Sequence, residues 1–165
     1  MRKIYDHQKT KYQHAAIDAF GDYMTVDSAL AIPQQDIFVL FEEIKDSSYF
    51  KEWNGDARLQ MTFANLEGKY WGLYHHETLA VYLAHDSADA RILCHEVAHH
   101  LSYQQALDVP HHGPTFCTHF LNLIMLFADA CDSELLRSCF EEHKVEYYFP
   151  RTVKAQQLRK SMGLV

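Results

Sequence analysis

Apolar residues recur at helical spacing in the first third and the last half of the chain, and at a shorter period between them. From Tyr5 to Phe20, the residues Ala15, Ala16, Ile17 and Phe20 mark one apolar side and predict an amphipathic helix ended by Gly21. A second helix is predicted from Pro33, a residue favoured in a first turn. Ile37, Leu40, Phe41 and Ile44 follow at helical spacing, and Asp46-Ser47-Ser48 closes the segment. The period then changes. Residues 58–64 largely alternate polar and apolar and read as a strand, and Glu67-Gly68 reads as a turn. Tyr70 to Tyr74 and Thr78 to Leu83, rich in aromatic and β-branched residues, predict two further strands.

Helical spacing returns after Leu83. Asp86-Ser87 offers an N-cap for a helix from Ala88 to Gln105, and Pro110 enforces its end. Pro114 opens another helix with a core stripe of Phe116, Phe120, Leu123, Ile124 and Phe127. Asp132-Ser133 is expected to cap a helix reaching His143, with Leu135, Leu136, Cys139 and Phe140 inward. Glu146 to Phe149 reads as extended, and Thr152 to Met162 as a terminal helix. No repeat or low-complexity linker divides the chain, so residues 1–165 read as a single α+β domain, a small antiparallel sheet packed with several helices.

Composition narrows the class. A hydrophobic content of 48% over 165 residues supports one sizeable core without disulfides. No segment approaches the roughly 20 apolar residues that span a bilayer, and no apolar leader follows Met1-Arg2-Lys3. No membrane association and a cytoplasmic location are therefore expected. Cys94, Cys117, Cys131 and Cys139 form no CxxC pair and are expected to be reduced thiols, Cys94 through core packing. The net charge of −7 repels a phosphate backbone. Arg2, Lys3, Lys9 and Lys11, with Arg151, Lys154, Arg159 and Lys160, are modest basic groups that solvated helix faces explain, so there is no strong nucleic-acid signal.

The chemistry concentrates at His95-Glu96-Val97-Ala98-His99, an HExxH motif. Residues four apart on a helix lie about 40° from each other around the axis, so both imidazoles can hold one ion. Zinc lowers the pKa of a bound water to about 7, and a carboxylate at Glu96 can take that water's proton. Ile92, Leu93, Val97, Ala98 and Leu101 make the helix apolar around the motif. The polar triplet is thus expected to be partly buried, a costly placement that a metal resolves. With an HExxH helix central to it, the plan is that of a zincin.

A catalytic zinc usually has three protein ligands and one open position. The extended metzincin pattern requires glycine at position 102 and histidine at 105, where this chain has Ser102 and Gln105. A thermolysin-like site needs a glutamate on a following helix, and the first one, Glu134, lies far along. Asp108, His111, His112 and His119 remain, of which His112 is best placed, in a short loop directly before Gly113-Pro114.

His112-Gly113-Pro114-Thr115-Phe116 after the HExxH motif resembles the SprT-like (Spartan) metallopeptidases, in which HExxH is followed by a His-Gly-Pro-x-Phe segment. The close match covers about residues 90 to 125. The chain also resembles a group of small metallohydrolases of actinobacteria and their phages that carry an HHG segment after the helix. The resemblance implies His95, His99 and His112 as ligands of one Zn2+ per chain and Glu96 as general base. It implies hydrolysis of a peptide or protein substrate. The DNA-repair members commonly carry a cysteine-rich zinc ribbon or basic DNA-binding segments, neither of which is seen here.

Two other readings use the same residues: a zinc hydrolase of a non-peptide amide, and a non-catalytic binding protein stabilised by zinc. The second has no need of Glu96. For an oxyanion, His100, Tyr103, His119, Tyr74 and His76 are available as electrophiles, and sequence does not choose among them. His100 points about 100° away from its neighbour His99 and is expected at the surface or behind the ligands. His75, His76 and His85 read as loop or strand-end residues. The strands between Tyr70 and Leu83 hold the best candidate for an edge on which an extended peptide could add.

Overall fold

In α1 (Lys9–Phe20), Tyr12, Ala15, Ala16 and Ala19 point inward at helical spacing, while Ile17, expected inside, is largely exposed. The computed structural model describes residues 8–20, 32–67, 70–85, 89–105 and 110–147. The expectations placed on Gly21, Asp86-Ser87 and 152–162 lie outside the described residues, as do Asp108 and most of the basic positions near the two ends.

Pro33 directly precedes α2 (Gln34–Asp46), which buries Ile37, Phe41 and Ile44. Ser47 both ends that helix and starts α3 (Ser48–Glu52), an element the sequence reading lacked. Its hydroxyl accepts from the Phe50 amide at 3.1 Å and so replaces a bond missing at the helix start. The next three elements are β1 (Gln60–Ala64), β2 (Gly72–His75) and β3 (Ala80–Ala84), each within two residues of its expected bounds.

The sheet is mixed, and this corrects the antiparallel expectation. Its order is β1-β3-β2, with β1 parallel to β3, Gln60 opposite Ala80, and β2 antiparallel to β3, Gly72 opposite Leu83. Side chains alternate with the same period in either kind of ladder, so strand direction is not written in the pattern. A tight connection over 76–79 makes β2 and β3 a hairpin, and β1 takes the remaining edge of β3.

α4 (Ala90–Gln105) begins after Asp89, whose carboxylate accepts from the Arg91 amide at 2.7 Å and pairs with the Arg91 guanidinium. α4 packs against β2 and β3 on one side and α5 (Pro114–Phe127) on the other. Pro114 occupies the first turn of α5, as expected. α6 (Ala130–Glu142) starts earlier than expected because Asp129, not Asp132-Ser133, caps it, accepting from the amides of Cys131 and Asp132. Leu136, Cys139 and Phe140 point inward, whereas Leu135 is exposed. α1 and α5 both pack on α6. Among the described residues, six helices and a three-stranded sheet thus form an α+β arrangement, with α4 between the sheet and α5. No helix among the described residues is long and apolar enough to cross a membrane.

Candidate metal centre

The HExxH residues lie on α4, and their burial follows from the helix's two neighbours. His95 and His99 face α5 and the loop before it, while Glu96, about 100° further round, faces β2. The Nε2 atoms of His95 and His99 are 3.1 Å apart. Gly113 ends the loop that leads into α5, and this loop brings His112 to the pair. One nitrogen from each of His95, His99 and His112 lies within 4.8 Å of the others. Phe116, the last residue of the His-Gly-Pro-x-Phe segment, stacks on His99 at 4.4 Å and meets the edges of the other two rings.

This donor set fits a zinc ion. Tetrahedral ligands about 2.0–2.1 Å from a metal lie about 3.3 Å from one another, close to the spacing of the first pair. Burial lowers the pKa of both His95 and His99 well below the ordinary histidine value, and the neighbouring imidazoles lower it further. Both rings are therefore neutral, the form that binds metal.

Glu96 is buried beside the pair, with Oε1 4.0 Å from His95 Nε2. Burial pushes its carboxyl up to about 8, and a hydrogen bond from the Tyr74 amide opposes that shift. Gly72 makes the approach possible: a Cβ there would sit 2.7 Å from Glu96 Cγ and Oε1 and 2.9 Å from Ile92. The Ala84 amide donates to the Trp71 carbonyl at 2.9 Å. By the alternation of an antiparallel ladder, Leu73 and His75 also turn their main-chain groups toward β3, while those of Gly72 and Tyr74 face outward, beside α4.

The other candidates fall elsewhere. His111 is exposed and next to the cluster, with its ring 6.2 Å from that of His99, which hydrogen-bonds to the His111 main chain. His119 is buried on α5 and engaged with Tyr49 at 2.8 Å and with Gln105. Glu134 is exposed on α6 and paired with Arg137. His100 is not at the surface: it is fully buried, its Nε2 accepts from the Asp56 amide at 2.9 Å, and its Nδ1 lies 3.0 Å from the Tyr74 hydroxyl. Because Nε2 accepts, the proton is on Nδ1 and the Tyr74 oxygen receives it. Of the electrophile candidates, His100 and His119 are thus committed to internal bonds. Tyr103, one turn beyond His99, is half-buried with its ring 4.6 Å from the His76 ring.

Sequence reasoning missed Tyr12 and Gln8. The Tyr12 hydroxyl is 2.7 Å from His95 Nδ1, across 83 residues of sequence, and its ring stacks on His112 at 4.8 Å. Gln8 Nε2 donates to the His112 carbonyl at 2.8 Å, across 104 residues. Tyr12 carried a faint signal, a hydroxyl on the buried face of α1. Gly72 and Gln8 carried none. No protein-family model, curated protein or solved structure matches the chain.

Proposed function

We propose that this chain is a zinc-dependent hydrolase of the SprT-like kind, acting on peptide bonds. The observation that carries the reading is the convergence of three imidazoles, His95, His99 and His112, beside the buried carboxyl of Glu96. A site that only held the loop to the helix would have no use for Glu96. His95, His99 and His112 would hold the zinc ion, which when bound would supply Lewis-acid activation of a water and of a carbonyl.

Glu96 would take the proton from that water and return it to the leaving nitrogen. A carboxyl raised by burial holds a proton readily, and a nearby dication lowers it back toward the acceptor form. General-base assistance of this kind is typically worth about 10²- to 10⁴-fold. The outward main-chain groups of Gly72 and the outward carbonyl of Tyr74, whose amide is taken by Glu96, would let an extended peptide add to the edge of β2 alongside Glu96, which favours a peptide over a small amide.

The test begins with zinc content by elemental mass spectrometry for wild type, His112→Ala and Glu96→Gln, purified without chelator. About one zinc per chain in wild type and Glu96→Gln, but not in His112→Ala, is the expected result. Cleavage of an unstructured protein substrate, lost in Glu96→Gln, would then separate the peptidase from the non-peptide amidase and the zinc-stabilised binding protein. A folded wild type without zinc would sink the proposal.

A further inference from the structure

HExxH supplies two ligands from one helix and the segment before α5 supplies a third, so the centre depends on whatever holds those two pieces in register. α1 touches both. Tyr12 places its hydroxyl 2.7 Å from His95 Nδ1 and its ring against His112 at 4.8 Å, nearly parallel at 14°. One helical turn earlier, Gln8 is buried; its Nε2 donates to the His112 carbonyl and, at 3.1 Å, to the Glu146 carbonyl, while its Oε1 accepts from the Glu146 amide at 2.9 Å.

We propose that α1 completes the metal centre, with Tyr12 as a positioning residue that sets the ring of His95 and the plane of His112 together. The inference rests on the zinc reading above. A histidine ring can turn about its last side-chain torsion and exchange its two nitrogens. A partner at Nδ1 decides which nitrogen faces the site and which carries the proton. With zinc at Nε2, the His95 Nδ1–H donates to the Tyr12 oxygen.

Tyr12 cannot swing away. Phe116, Phe120 and Phe140 surround its ring, with centroids 5.3, 6.2 and 6.2 Å distant. A phenol also differs from the carboxylate often found behind a ligand histidine, because it orients the ring without adding negative charge. Three neutral ligands then leave the ion's full charge to act on water and carbonyl.

Tyr12→Phe keeps the ring packing and removes only the hydroxyl. Zinc affinity would be measured by competition with a chromophoric chelator, and ligand geometry by the visible spectrum of the Co2+-loaded protein. The expected result is a 10- to 100-fold loss of zinc affinity, the range for removing a partner of a ligand histidine, with an altered Co2+ spectrum. Tyr12→Phe that matches wild type in both measurements overturns the inference and leaves the zinc reading standing. A wild type that takes up no zinc overturns both.

Should Tyr12→Phe fail to fold, hydrogen exchange on the wild type decides. Zinc must then slow amide exchange in residues 9–20 as well as in 90–105. Protection confined to α4 and the loop at His112 overturns the inference.

Discussion

Two groups of histidines lie on or beside α4 and α5, one buried and one half-buried, and they differ in what their nitrogens meet. His100 has a partner at each nitrogen, the Asp56 amide and the Tyr74 hydroxyl, and His119 lies between Tyr49 and Gln105. His95, His99 and His112 instead turn nitrogens toward one another, within 4.8 Å. Burial lowers the pKa of His95 and His99, and likewise that of His100, to about 4, and of His119, to about 3, so a depressed pKa does not mark a ligand. The arrangement of partners does. One group pins the fold from inside, and the other is a donor set with room for a shared ion.

The comparison is tested most severely at Glu96. Glu96→Gln keeps the shape of the side chain and removes the proposed base, and the proposed hydrolysis should fall by about 10²- to 10⁴-fold while zinc content stays at that of wild type. A rate assay on the zinc-loaded variant checks this. An undiminished rate would remove Glu96 from the chemistry.

Single replacements should then divide the histidines. His95→Ala or His99→Ala should weaken zinc binding by more than the roughly 10- to 100-fold expected for an outer partner. His100→Ala and His119→Ala should keep full zinc content and instead lower stability by about 1–3 kcal/mol. For His100 the loss follows from the Asp56 amide being left without its acceptor. Zinc titration beside urea unfolding measures both effects. Loss of zinc in His119→Ala with normal stability would dissolve the distinction.

Gly72→Ala should cost about 1–3 kcal/mol, since its methyl would overlap Glu96 and Ile92. It should reduce turnover more than zinc affinity, because the displaced group is Glu96 and not a ligand. Comparing the two in one preparation is decisive.

A further test is the acid response of the pins. The folded-state values of His100 and His119 lie below the ordinary value of 6.5. The unfolded chain therefore takes up protons that the native state refuses. Stability is fully present above pH 6.5 and declines as pH falls toward 4 and then 3, by up to about 1.4 kcal/mol per pH unit for each group. Unfolding midpoints of zinc-free protein between pH 7 and 5 should decline, because the four lowered histidines, His95, His99, His100 and His119, outweigh Glu96, whose raised carboxyl acts in the opposite sense, and they should decline less steeply in His100→Gln. A pH-independent midpoint over that range would refute the assignment of neutral, buried rings.

Much of this was open to a reader of the residues alone. Helical spacing around His95, Glu96 and His99 placed them on one helix, and Pro114 marked the start of the next, because an i to i+4 pattern and a missing amide hydrogen act within a turn of chain. The loop position of His112 before Gly113-Pro114 singled it out in the same local way. What lay beyond reach needed contacts between distant segments. The parallel pairing of β1 with β3, the inward turn of His100 and His119, the tuck of Glu96 against Gly72, and the hold of Tyr12 and Gln8 on two candidate ligands all come from packing. Periodicity records which side of an element is apolar, but not which partner covers that side. Bonds spanning 83 and 104 residues exist only once helices and sheet have closed on a common core.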